Sequence, residues 1–224
     1  PPRVNLISPP RVDRSRRTVV FHPVPGPRAL AALLGALLGG MVLASPTLAD
    51  TQRFIIDPAK SRVAFDAFHP FAFGTFSASA DGPTGEVELD LSDLRQPIKG
   101  SLTVAAAGLR SGEASRDKDI RRALDIDHHA EIRYRVEKVD SSFPSLAENN
   151  DVILTIHGVL TIKDVDRPTT FAGRVRLRPG GALWVRGESW VKPRDWGVPL
   201  IRSWMISMKD SVLAIFDLTL SRAK

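Results

Sequence analysis

Glu86-Val87-Glu88-Leu89-Asp90-Leu91 alternates an acid with an aliphatic residue for six positions without a break. Successive side chains of a strand point to opposite faces, so this pattern describes a strand with one wet and one dry face. The period of two recurs on both sides of it. Upstream lie Arg62-Val63-Ala64-Phe65-Asp66-Ala67-Phe68 and the stretch from Phe71 to Ala80, with Phe71, Phe73 and Phe76. Downstream the series runs through Lys99 to Ala106, Glu131 to Val139, Val152 to Ile162, Thr169 to Leu177, Leu183 to Val191 and Asp210 to Ser221. Chain breakers separate these runs at Asp81-Gly82-Pro83, Gln96-Pro97, Asp166-Arg167-Pro168 and Pro179-Gly180-Gly181. One segment, Ser115 to Leu124, is built of helix formers instead. Ser115 is its expected N-cap, Asp117 and Asp119 suit its positive end, and Arg121 and Arg122 suit its negative end. The pattern predicts an all-β domain of about eight antiparallel strands with one short helix. Alternation alone leaves a closed up-and-down barrel and a sandwich both open.

The chain has 224 residues, 43% hydrophobic and 25% charged, which is enough apolar material for a sizeable core. Its net charge of +6 would suit nucleic acid if it were spread over the fold. Residues 1–49, however, carry six Arg and a single acid, while the remainder holds 25 basic and 24 acidic residues. The basic excess belongs to the leader, so a nucleic-acid partner is not expected. The absence of cysteine excludes thiolate nucleophiles, thiolate zinc sites and disulfide chemistry.

Ala29 to Ala44 is an uncharged run of Ala, Leu and Gly preceded by Arg28, and Thr47-Leu48-Ala49 closes it with small residues where a signal peptidase reads. The run is shorter than the roughly 20 residues a membrane span needs, and glycines interrupt it. Residues 1–49 are therefore expected to be a leader with a secretory signal peptide cleaved near Ala49, delivering residues 50–224 to the periplasm as one domain. Ser15-Arg16-Arg17 resembles a twin-arginine signal, although Pro23, Pro25 and Pro27 intervene before the apolar run. The export route and the true start of translation stay open.

Several stretches resemble the YceI-like family. Phe54-Ile55-Ile56-Asp57-Pro58-Ala59-Lys60-Ser61-Arg62-Val63-Ala64-Phe65 looks like its first strand, His69 falls where the family often has a histidine, and Gly74-Thr75-Phe76 and Gly85 follow suit. Ser111-Gly112-Glu113 with Arg116-Asp117, Ile120-Arg121 and Leu124 resembles the family's central helical segment. Gly158-Val159-Leu160-Thr161-Ile162 ending at Arg167-Pro168, then Asp195-Trp196-Gly197-Val198 and Asp210-Ser211-Val212, complete the match in order. The sequence departs from the family at Ala130, Asp164, Asp166 and Pro193. The resemblance implies an eight-stranded, lipocalin-like antiparallel barrel. It also implies an isoprenoid ligand, a polyprenol or isoprenoid quinone, held in the barrel without catalysis and with no further cofactor.

A barrel of about eight strands leaves an interior that side chains fill or that one slim ligand occupies. Phe65, Phe68, Phe71, Phe73 and Phe76 beside Ala64, Ala67, Ala72, Ala78 and Ala80, and Val104 beside Ala105, Ala106 and Ala107, mix bulk with gaps. On the residues alone a filled core explains this as well as a cavity does. The resemblance favours the cavity, and alternation with motif position selects Phe65, Phe76, Val104, Tyr134, Leu160 and Trp196 as ligand-binding residues.

Of His22, His69, His128, His129 and His157, only His128 and His129 are adjacent, and neighbours on a strand face opposite ways. No metal site is expected from them. No nucleophile elbow, Walker loop or dinucleotide fingerprint occurs, and Arg116 with Asp117 reads as a cap and an ion pair, so no catalytic residue is expected. Trp184, Trp190, Trp196 and Trp204 either stack on a ligand or pack the barrel end. The basic, aromatic stretch Arg202-Ser203-Trp204 to Met208 suits transient membrane contact. The rival to a lipid carrier is a filled barrel acting as an envelope interaction partner, dimerising through an edge or its aromatic end.

Overall fold

The computed structural model describes residues 50–68, 75–199 and 210–223. The leader with Ala49 and His22, then His69, Phe71, Ala72, Phe73 and Gly74, and the Arg202-Ser203-Trp204 to Met208 stretch lie outside the described residues.

Among the described residues there are ten strands and one α-helix. The strands are β1 (Thr51–Ile56), β2 (Arg62–Phe68), β3 (Thr75–Asp81), β4 (Thr84–Asp90), β5 (Lys99–Ala105), β6 (Glu131–Ser141), β7 (Asp151–Ile162), β8 (Val165–Leu177), β9 (Leu183–Val191) and β10 (Val212–Arg222), and α1 spans Ala114–Leu124. The strands form one sheet in which β4 to β10 follow in chain order, and pairing of β10 with β1 closes it.

Ten segments make eight staves because two staves are kinked. β10 pairs with β1 from Phe54–Arg222 to Ile56–Leu220, and with β2 from Arg62–Asp217 to Ala67–Val212. β1 and β2 thus lie end to end along one neighbour. β4 and β3 lie end to end against them in the same way. The eight-stranded antiparallel barrel expected from the sequence is the observed fold, and the closed form decides against a sandwich.

The kink would strand backbone groups of β10 without partners, and a buried unpaired amide is costly. Side chains and a turn resolve this. Asp57 accepts from the Ala59 N–H at 3.1 Å, starting the turn Pro58–Lys60. The Asp57 N–H donates to the Thr219 carbonyl at 2.8 Å, and the Thr219 N–H donates to the Ser61 hydroxyl at 3.0 Å. Ser61 and Thr219 are both buried.

β7 illustrates how alternation builds the interior: Val152, Leu154, Ile156 and Leu160 are buried, with Gly158 between them. On the other side of the barrel β5 pairs with β4, whereas β3 meets the following segment only at a bridge between Ser79 and Arg110. The segment from Ala106 to Arg110 runs beside β3 there, and the helix that follows lines the interior. Its buried Ile120, Ala123 and Leu124 share one face at the i, i+3, i+4 spacing.

The helix begins two residues earlier than expected. Glu113, not Ser115, occupies the N-cap, and Ser115 lies inside the first turn with its hydroxyl on the Glu113 carboxylate. Asp117 ties the first turn to the preceding loop, accepting from both the N–H and the hydroxyl of Ser111 at 2.7 Å, while Arg116 pairs with Glu113 at 2.8 Å. These bonds from Ser111 hold the Asp117 carboxyl below its ordinary range. A carboxyl so lowered stabilises the fold above the unfolded-state value, and the contribution is lost as pH falls through the native one. Asp117→Asn is expected to lower the melting temperature by about 2–4 °C at neutral pH. The difference from wild type should shrink below about pH 4, which thermal melts across pH would check.

Candidate ligand cavity

Inward side chains of β2, β3, β5, β6, β7, β8, β9 and β10, with the buried face of α1, surround a cavity of about 180 Å³. Five of the six residues expected to line the interior come together here: Phe65, Phe76, Val104, Tyr134 and Leu160. They arrive from five strands, each placed by its position in the alternation.

Trp196 does not join them. It ends a 3-10 turn, Pro193–Trp196, where strand alternation assigns no face, and its buried indole N–H donates to the Leu160 carbonyl at 2.9 Å. It braces the wall from behind. Residues that sequence reasoning missed are Ile120, Ala123 and Leu124 of α1, whose helical spacing within an otherwise polar segment was the available signal. Phe171 and Phe216 were missed as well, although both occupy the inward register of their strands.

The wall chemistry is apolar almost throughout. Tyr134 is the exception inside, and its hydroxyl is committed: it lies 3.0 Å from the carbonyl oxygens of both Ile156 and Thr169. Burial pushes the phenol well above its ordinary pKa, so it stays a neutral donor. Arg133 borders the cavity, but its guanidinium is 3.3 Å from Asp164, which also stands 2.7 Å from Nδ1 of His129. Polar groups thus gather beside the cavity.

Rings crowd one level of the barrel. Tyr134 meets Phe171 edge-on with centroids 5.0 Å apart, and Phe171 lies 5.2 Å from Phe216. Two glycines make room for them. A Cβ on Gly158 would stand 2.8 Å from the Tyr134 ring, and one on Gly187 would stand 2.3 Å from the Phe216 ring. Beyond this level a second apolar space of about 100 Å³ shares Leu102, Tyr134 and Phe216 with the first.

The remaining candidates fall on the outer surface. His128 pairs with Asp125 at 2.9 Å and His157 with Asp140 at 3.0 Å, and among the described residues no three His, Asp or Glu side chains converge to hold a metal. Trp184 donates to Asp217 at 2.7 Å beneath the guanidinium groups of Arg174, Arg176 and Arg178. Trp190 is 57% exposed and its ring lies 5.2 Å from that of Phe68.

Residues 54–220 match the model of the YceI-like domain family. No curated protein sequence matches the chain. Among solved structures, a polyisoprenoid binding domain from Saccharophagus degradans implicated in plant cell wall breakdown superposes with a TM-score of 0.60 at 12% identity, covering 76% of this chain and 98% of its own. BcnA of Burkholderia cenocepacia superposes at 0.62 with 18% identity, covering 74% and 99%. A YceI protein of Campylobacter jejuni gives 0.55 at 11% identity, covering 70% and 90%. Identities this low carry the fold and nothing finer.

The glycine beneath Phe216 has a measurable role. Gly187→Ala forces the ring into the lumen or the strand outward, and overpacking of this kind costs about 1–3 kcal/mol. A lowered denaturant midpoint with an unchanged slope is the expected result.

Proposed function

The chain belongs to the YceI-like domain family, and from that premise we propose that it is a non-catalytic carrier of an isoprenoid-like lipid, with polyprenols and isoprenoid quinones as the candidate cargo. The observation that carries this reading is the cavity of about 180 Å³ inside a closed barrel, with apolar walls and its one internal hydroxyl already bonded to backbone. A polar substrate would find no partner there, whereas a hydrocarbon tail needs none. Proton transfer chemistry needs a titratable group aimed at the ligand, and Tyr134 is held neutral and turned into the wall. The lipid-binding description of the Saccharophagus degradans domain is consistent with the proposal.

Phe65, Phe76, Val104, Tyr134 and Leu160 would contact the tail, with the polar cluster of Arg133, Asp164 and His129 near the head group. The isoprenoid is itself the ligand, and the proposal includes no other cofactor. Each methylene buried from water is worth about 0.8 kcal/mol, but a lipid drawn from a membrane has already gained that. Transfer is then close to neutral, which suits reversible carriage. The exposed Trp190 packed against Phe68 suits brief contact with a membrane surface. The proposed setting is the periplasm, reached by the leader over residues 1–49.

Native mass spectrometry of the full chain expressed in an exporting bacterium, followed by organic extraction, tests the reading. A co-purifying prenyl lipid of defined mass is expected, and a protein that is empty and ignores added prenols and quinones would refute it. Val104, 3% exposed, faces the cavity. Val104→Arg should weaken the fold and cut bound lipid by at least about tenfold, because a guanidinium cannot sit unpaired against a hydrocarbon tail. Undiminished binding in that variant would show that β5 does not face the lipid.

A further inference from the structure

The interior of the barrel is two spaces in series. The larger lies beside α1, and the smaller lies among Leu89, Leu154 and Leu220. Leu102, Tyr134 and Phe216 border both, and Leu102 stands opposite Tyr134 in the β5–β6 ladder. Phe171 links Tyr134 to Phe216 by ring contacts, and none of the three rings is more than 5% exposed. Both ends of this belt are held in place. The Tyr134 hydroxyl is fixed between two carbonyls, and the Phe216 ring rests on the bare backbone of Gly187. Swinging Tyr134 aside would break a buried hydrogen bond and leave its polar atom unpaired.

Resting on the lipid-carrier reading, we infer that this belt is a floor that limits the enclosed tail to about two isoprene units, so that the ligand is a short-chain prenyl compound. The size comparison is direct. A cavity of about 150 Å³ lined by Leu, Ile and Phe accommodates one benzene ring, and the space above the belt is about 180 Å³. Together with its mouth, that is room for roughly five to ten tail carbons. A longer tail either displaces a held ring or leaves units in water. Each unit so stranded forgoes the burial of about five carbons, a penalty of at least about tenfold in binding.

A length competition tests this. Geraniol, farnesol, geranylgeraniol and solanesol are offered together at equal mole fraction in phosphatidylcholine vesicles to the full-length protein, and bound alcohols are extracted and quantified. All tails start out of water, so the competition reads fit to the lumen. Geraniol should dominate, with a fall of about tenfold or more at farnesol and beyond. Phe216→Ala joins the two spaces and should raise the preferred length by at least one isoprene unit. Phe216→Leu, a milder change, should move it in the same direction. Wild-type protein that takes solanesol as readily as geraniol, or a preferred length that does not move in either folded variant, overturns the floor and leaves the carrier reading standing. Failure of every alcohol to bind overturns both. The wild-type competition is decisive even if neither variant folds.

Discussion

Thr219 sits where the barrel closes, and its backbone groups meet no ordinary strand partner because the neighbouring stave is kinked. Its carbonyl accepts from the Asp57 N–H and its N–H donates to the Ser61 hydroxyl, so the ladder continues through a side chain where the main chain has turned away. The ladder of β10 passes the kink through that splice. With it, β10 serves two segments at once, the kinked staves count as single strands, and the sheet encloses a volume. Without Ser61, the Thr219 N–H would be buried and unpaired at the seam.

The architecture was legible because it depends on parity. Glu86 to Leu91 and the runs like it declare which side chains turn inward, and five expected liners on five different strands do meet around one space. Parity says nothing where the chain leaves the strand. Trp196 lies in a 3-10 turn and braces the wall, and Ser115 yields the N-cap to Glu113 because the Ser111 to Asp117 bonds fix where the first turn begins. The kinks were hidden for a related reason. Gly82-Pro83 reads locally as a break between strands, and only the pairing of β4 with β1 and of β3 with β2 reveals that it lies within one stave.

The interior was harder to read than the frame. A filled core and a ligand cavity are written with the same residue types, since both need apolar side chains at inward positions. What separates them is whether opposing side chains meet, and that depends on strands far apart in sequence. The aromatic belt is the clearest case. Tyr134, Phe171 and Phe216 come from β6, β8 and β10, and no local pattern announces that their rings lie at one level. Gly158 and Gly187, which ordinarily weaken strands, are the positions that let those rings lie flat.

Those glycines have an implication for how such barrels diverge. Neither contributes a side chain to the lumen, yet a single added methyl at Gly187 would meet the Phe216 ring and shift it. The capacity of the interior is therefore governed from positions outside the lining, on strands adjacent to the rings. Two barrels with identical lining side chains but different residues at these places would hold different contents. Comparing relatives by their lining alone would miss the difference.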